Sequence, residues 1–324
     1  AVMDVIGAAG KRELAFAHAQ QNGALFHRVQ QISQGIVRSL GDLAAWADYP
    51  EDEIPAVTPE SLHAALQPVL EQLDSTLATY DYGRILQSGV SAVIVGKPNV
   101  GKSTLFNLLS GSQRSIVTEI AGTTRDVVEE QIRLGNVTLR LSDTAGLRET
   151  EDVIEQMGVK IAEERLAQAD LILAVFDTTR PLDDDDRRML EQLPEKPVIA
   201  ILNKSDQSAQ LDTDELEPYF SRVITMAARE GSGLEQLQQA VEELFYQAEV
   251  TPELGIVANA RQKQCLEQAR EQVQLALEAL DAGELLDAVT VLLEEAANAL
   301  LTLTGERVSE AVVNDVFSRF CVGK

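Results

Sequence analysis

Basic residues are scarce in this chain: 27 Lys and Arg stand against 52 Asp and Glu in 324 residues, a formal net charge of -25. That balance excludes broad, nonspecific nucleic-acid binding, because counterion release needs clustered Lys and Arg to neutralise phosphates. A local basic patch or a basic partner remains compatible with it. The two cysteines, Cys265 and Cys321, are too few and too far apart for a disulfide framework or a zinc site, so a reducing compartment is expected. Aromatic residues make up only 4%, and a core must therefore be built from Leu, Val, Ile and Ala, which suits helices and parallel strands. No window reaches the roughly 18 uninterrupted apolar residues of a membrane span. The first ten residues also lack the basic start and apolar stretch of a signal peptide. These absences predict a cytoplasmic protein without a membrane anchor.

Apolar residues recur at helical spacing from Lys11 to about Ala47, through Phe16, Leu25, Val29, Ile32, Ile36 and Leu40. A second helix is expected from Thr58-Pro59-Glu60, with Thr58 as N-cap and Pro59 at the first helical position, to about Thr79. After Gly89 short β-rich runs alternate with helical stretches. Strands are predicted over Ala92–Val95, Val127–Leu134, Val137–Ser142, Leu171–Asp177, Val198–Leu202 and Val223–Met226, and Gly135-Asn136 makes the second and third a hairpin. Helices are predicted over Lys102–Ser110, Val153–Ala167, Asp184–Gln192 and Leu234–Tyr246. Beyond Thr251-Pro252 the chain is helical again, over Asn259–Leu280, Glu284–Leu303 and Ser309–Phe320. The expected architecture is an α/β domain with a parallel-type sheet covered by helices on both faces, inserted in an all-α helical domain. Its divisions are 1–88, 89–249 and 250–324.

Gly96 to Ser103 read G-K-P-N-V-G-K-S, directly after the apolar run Ala92–Val95 and directly before the helical run from Thr104. A loop that wraps phosphates needs Gly at Gly96 and Gly101, so that backbone N–H groups can turn inward above a helix N-terminus. Asn99, Val100, Gly101 and Thr104 are expected to line the nucleotide. Lys102 is placed to reach the β/γ-phosphates, and the Ser103 hydroxyl to coordinate Mg²⁺. Asp143-Thr144-Ala145-Gly146 follows the strand ending at Ser142, giving a carboxylate beside the Mg²⁺ shell and a Gly146 N–H able to sense a γ-phosphate. Asn203-Lys204-Ser205-Asp206 follows another strand. Asp206 can accept hydrogen bonds from guanine N1–H and its amino group, a donor pair that adenine lacks. Together these motifs point to GTP and GDP. Ala227-Ala228-Arg229 occupies the position of a second base loop, where Ala227 lacks a hydroxyl and only backbone can help.

Between the phosphate loop and Asp143, Thr124 is the candidate second Mg²⁺ ligand. Leu147 stands where a Ras-like enzyme has a water-orienting Gln, and it cannot hydrogen-bond through its side chain. His18, His27 and His63 all precede the α/β region, so a carboxylate among Glu149, Glu151, Asp152 and Glu155 is the remaining option. The acidic run Asp183–Asp186 is read as a solvated loop opening a helix, where negative charge complements the helix dipole.

The combination of G-K-P-N-V-G-K-S, Gly122-Thr123-Thr124-Arg125-Asp126, D-T-A-G-L and the tail Phe320-Cys321-Val322-Gly323-Lys324 resembles the MnmE (TrmE) family of tRNA wobble-uridine modification GTPases, over essentially the whole chain. The resemblance implies a P-loop GTPase domain carried by a helical domain. It also implies that Asn99 coordinates K⁺, with carbonyls of Thr118, Ile120 and Thr123, in the place of an arginine finger. Glu155 corresponds to the family's water-orienting glutamate, and Cys321 to its candidate functional thiol. The implied partners are the flavoprotein MnmG, tRNA through that complex, and a second copy of the chain, with G-domain pairing dependent on nucleotide and K⁺.

The chain departs from the family's pattern in Val322, where Ile is usual, and in starting at Ala1, in what resembles the beginning of the helical domain. A fragment is therefore expected, and binding of a tetrahydrofolate derivative is assigned only to the full-length family protein. Two alternatives stay open. One is an Era- or Der-like ribosome-assembly GTPase, although no basic RNA-binding module is recognisable. The other is a scaffold that binds GTP without turning it over.

Overall fold

The computed structural model describes residues 5, 8, 10–48, 56–112, 129–142, 166–216, 218–246, 255–305, 308, 311–313 and 315. Internal contacts divide the chain into two compact units, one comprising Ala1–Gly7, Glu13–Gln87 and Val250–Lys324, the other Ala8–Arg12 and Ser88–Glu249.

The first unit is helical. The sequence periodicity predicts one helix from Lys11, but the chain forms α1 (Lys11–Gln21) and α2 (Ala24–Asp48). The break is at Gly23, whose φ of 73° is a left-handed conformation that ends α1, with Asn22 N–H donating to His18 O and Gly23 N–H to Gln20 O. α3 (Pro59–Leu77) starts as expected at Thr58, which forms a capping box with Ser61: Ser61 N–H donates to Thr58 Oγ1 at 3.2 Å and Thr58 N–H to Ser61 Oγ at 3.0 Å. A short α4 (Tyr80–Ser88) follows, which the sequence periodicity did not indicate. After the α/β unit in the chain come helices that we label α8 and α9. α8 (Ala260–Asp281) is capped by Asn259, and α9 (Leu286–Thr304) ends at Gly305 with φ 80°. Their apolar stripes meet in one core, where Ile32, Ile36, Leu66, Leu73, Val273, Leu293 and Leu300 have no exposed surface. Each such side chain contributes roughly 1.5–3 kcal/mol over its exposed state. The helix expected over Ser309–Phe320 lies largely outside the described residues.

The second unit is an α/β fold. Its sheet has the order β2-β3-β1-β4-β5-β6, from β1 (Val90–Val95), β2 (Glu129–Leu134), β3 (Val137–Ser142), β4 (Leu171–Asp177), β5 (Val198–Asn203) and β6 (Val223–Thr225). Only β2 and β3 are antiparallel, joined as a hairpin through Gly135-Asn136, with Leu134 opposite Val137. The remaining pairings are parallel, with Ala92 in register with Leu171 and Asp177 with Asn203. β4 lies between β1 and β5, and all seven of its residues are buried, as a strand covered on both faces requires. Its helices include α5 (Lys102–Ser112), α6 (Asp184–Glu191) and α7 (Leu234–Phe245), while the helix expected over Val153–Ala167 lies largely outside the described residues. Phe176, Leu182, Leu190, Leu202, Leu216 and Phe220 pack into a cluster on one face. Because β3, β1, β4, β5 and β6 run the same way, the loops after Val95, Asp177, Asn203 and Thr225 emerge along one edge. In an open α/β sheet that edge is where ligands bind.

Candidate nucleotide site

The phosphate loop leaves the end of β1 and closes on the first turn of α5. Val100 is buried beneath it, Asn99 and Ser103 are exposed, and Lys102 is half-buried. Lys102 Nζ donates to Gly96 O and Lys97 O, both at 2.7 Å, so the loop wraps its own ammonium group. Burial pushes the Lys102 ammonium below its ordinary pKa, although a cation held by two carbonyls remains suited to a polyphosphate. Leu105 N–H is the first of the helix to find its partner, donating to Gly101 O at 2.9 Å. The N–H groups of Lys102, Ser103 and Thr104 precede it, at the positive end of the α5 dipole. This donor set fits a nucleotide phosphate chain. The exposed Ser103 hydroxyl in that first turn could ligate a divalent ion, which would supply positive charge against the phosphates of a bound nucleotide.

Asn203, the last residue of β5 and 3% exposed, joins three loops. Its Nδ2 donates to Val100 O at 2.8 Å, its Oδ1 accepts from Ala228 N–H at 3.0 Å, and its carbonyl accepts from Thr178 N–H at 3.0 Å and Thr178 Oγ1 at 2.9 Å. Gly101 is required by this arrangement: at φ 105°, a Cβ there would stand 2.1 Å from Asn203 Nδ2. The Ala227-Ala228-Arg229 segment thus meets the guanine motif through backbone. Ala227 and Ala228 are buried, and Arg229 is exposed. Asp206 is exposed on the same loop, whose Ser205 N–H donates to Met226 O at 3.1 Å.

Lys204 has φ 68°, one of two non-glycine residues with positive φ among those described, the other being Asn99 at 65°. Its Nζ lies 2.6 Å from Asp177 Oδ2, at the end of β4. Asp177 also accepts at Oδ1 from Thr179 N–H at 2.9 Å and Thr179 Oγ1 at 2.7 Å. Burial raises the Asp177 pKa, but the bonds from Lys204 and Thr179 outweigh it and hold the carboxyl below its ordinary value.

The structure therefore brings together Asn99, Val100, Gly101, Lys102, Ser103 and Thr104 with Asn203, Lys204, Asp206, Ala227, Ala228 and Arg229. Thr118, Ile120, Thr123, Thr124, Asp143, Gly146, Leu147, Glu155 and Cys321 lie outside the described residues. Sequence reasoning passed over Asp177 and Thr178, whose only signal is position at the carboxyl end of a buried strand, and Lys97, a variable position of the phosphate-loop pattern. The acidic run opens a helix as expected, with Asp183, Asp184 and Asp185 exposed, but it is not solvated throughout. Asp183 does cap α6, accepting from Asp185 and Asp186 N–H, but Asp186 is 2% exposed and Asp183 pairs with Lys97. The net charge hid this, because a pairing between distant loops leaves no local pattern.

The MnmE helical domain family profile matches residues 1–321. The tRNA modification GTPase MnmE of Acetivibrio thermocellus is 37% identical over 327 residues, covering 100% of this chain and 71% of that protein. Its counterpart from Geobacter metallireducens is 39% identical over 327 residues, with the same coverage. Among solved structures, an Aquifex aeolicus Era variant bound to GDP.AlF4- is 30% identical, with a TM-score of 0.39 over 58% of this chain and 67% of that one. A profile spanning nearly the whole sequence, and 37–39% identity to these relatives along all of this chain, place the chain in the MnmE family.

Proposed function

We propose that this chain is a K⁺-stimulated GTP hydrolase acting in tRNA wobble-uridine modification of the C5 carboxymethylaminomethyl type, together with the flavoprotein MnmG, in the cytoplasm. GTP hydrolysis in a tRNA modification enzyme is the part that family membership carries. The observation that supports the site is Asn203, which ties the phosphate loop at Val100 O to the base loop at Ala228 N–H. Lys102 and the first turn of α5 then bind phosphate oxygens, Asp206 reads guanine, Ser103 and Thr124 would hold Mg²⁺, and Asp143 and Gly146 complete the phosphate-sensing motif. Asn99 is exposed in the phosphate loop at a left-handed φ of 65°, and it would hold K⁺ together with the carbonyls of Thr118, Ile120 and Thr123.

K⁺ held there would supply the charge that an arginine finger gives in related chemistry, a contribution of about 10³ to 10⁵ in rate for such fingers. Glu155 orients the attacking water in the absence of a glutamine at Leu147. Cys321 serves the uridine chemistry in the MnmG complex. The active state is a homodimer paired through nucleotide and K⁺ across the GTPase faces, within the division 1–88, 89–249 and 250–324. No helix among the described residues is long and apolar enough to cross a membrane. A GTPase assay in K⁺ and in Na⁺, with wild type, Asn99→Ala and Glu155→Ala, tests the reading. The expected result is turnover that needs K⁺, is lost in Glu155→Ala and loses its cation dependence in Asn99→Ala. Equal wild-type rates in both salts refute the K⁺ role.

A further inference from the structure

The loop from Asp177 to Asp183, between β4 and α6, belongs to none of the nucleotide motifs, yet it touches both sides of the site. On the base side, buried Asp177 grips Lys204 Nζ at 2.6 Å, and Thr178 gives two hydrogen bonds to Asn203 O. A lysine at φ 68° occupies a sparsely populated backbone region, which persists only where its surroundings over-determine it. On the phosphate side, Lys97 pairs with Asp183 and lies 3.7 Å from Asp185 and 3.8 Å from Asp186. Arg180 completes the cluster, 3.0 Å from Asp183 and 3.3 Å from Asp186. The Lys97 carbonyl is also one of the two acceptors of Lys102 Nζ, so displacing Lys97 displaces the group that holds the phosphate-binding ammonium.

We propose that this loop is a positioning clamp, in which Asp177 acts through Lys204 to set the guanine-reading loop and Asp183 acts through Lys97 to set the phosphate loop. The proposal rests on the assignment of those two loops to a guanine nucleotide. Neither carboxylate touches the ligand; both fix the spacing between the groups that do. The two arms differ in strength. Asp177 is buried and fully bonded, whereas Asp183 is about half exposed and its ion pair is open to screening.

The test is equilibrium binding of fluorescent GTP and inosine triphosphate analogues, the second lacking the guanine amino group, to Asp177→Asn, Asp183→Asn, Lys97→Met and Asp206→Asn. Both Asp→Asn changes keep shape and accepting oxygen, and Asn retains helix capping at position 183. Asp177→Asn is expected to weaken GTP by about 10-fold, the scale of a charged hydrogen bond, and to weaken inosine triphosphate less, so that the preference for guanine falls. Asp183→Asn and Lys97→Met should weaken both nucleotides equally, by about 3-fold at low salt, and converge with wild type at high salt.

A lower melting temperature in Asp177→Asn with an unchanged ratio of the two affinities would overturn the clamp and leave a structural ion pair. Divergent behaviour of Asp183→Asn and Lys97→Met would overturn the phosphate arm. Asp206→Asn separates the two levels: loss of guanine preference there with none in Asp177→Asn sinks the clamp alone. No loss of preference in Asp206→Asn sinks the base assignment, and the clamp with it.

Discussion

Asn203→Ala is the most incisive single change in the molecule, because it cuts two buried hydrogen bonds that lead to different loops. Val100 O loses its donor at 2.8 Å and Ala228 N–H its acceptor at 3.0 Å, at a residue only 3% exposed. A buried polar group left without a partner costs about 1–3 kcal/mol, so the two together cost about 2–6 kcal/mol if neither finds water. In the free protein both loops lie at the open edge of the sheet, where they can relax and solvate these groups. Nucleotide binding requires the loops in register, which removes that relief and transfers the cost into affinity. At 1.4 kcal/mol per factor of ten, the dissociation constant for GTP should rise by about 30-fold or more, with a small change in melting temperature. Asn203→Asp is a sharper companion: it keeps the acceptor for Ala228 N–H but sets a carboxylate against Val100 O, and should bind more weakly than the alanine variant. Fluorescent-nucleotide titration with a parallel thermal melt reads both quantities. Affinity within 3-fold of wild type refutes the reasoning, and so does a large loss of stability at unchanged affinity, since the registration would then be irrelevant to the ligand.

Gly101→Ala should abolish tight nucleotide binding, because the new Cβ meets Asn203 Nδ2 at 2.1 Å in a backbone at φ 105° that disfavours any side chain; retained affinity in the same titration would contradict the close approach. The Asp177 carboxyl also makes a pH prediction. Its folded pKa is depressed below the ordinary 3.8, so its contribution is complete above that value and is lost as pH falls through the lower folded pKa. Thermal melts of the nucleotide-free protein, taken from about pH 6 into acid below the ordinary carboxylate range, should show wild type losing its advantage over Asp177→Asn only once the pH falls under that ordinary value, and losing it progressively below it. Parallel curves would show that the carboxylate carries no net charge-dependent stability.

How far the site was legible depends on where its information lies in the chain. Gly96 to Ser103 is contiguous, and backbone geometry dictates its residue types: a strand end, a turn that admits no Cβ at Gly96 or Gly101, a helix N-terminus. Such a segment announces itself. The same holds for the β2–β3 hairpin at Gly135-Asn136 and for the Thr58 cap, where local chemistry fixes local structure. Boundaries were less visible. The break at Gly23 falls where apolar residues recur on both sides at spacings a helix allows, so periodicity alone reads one helix where a left-handed residue makes two. What stayed hidden is the set of pairings between distant positions. Asp177 meets Lys204 only because β4 and β5 are neighbours in parallel register, and Lys97 meets Asp183 only because the loops after β1 and β4 leave the same edge. Each of these residues looks ordinary in its own segment: a strand-end acid, a motif spacer, one aspartate of four. Their chemistry is a product of strand order, and strand order is the one property of a sheet that no single strand carries.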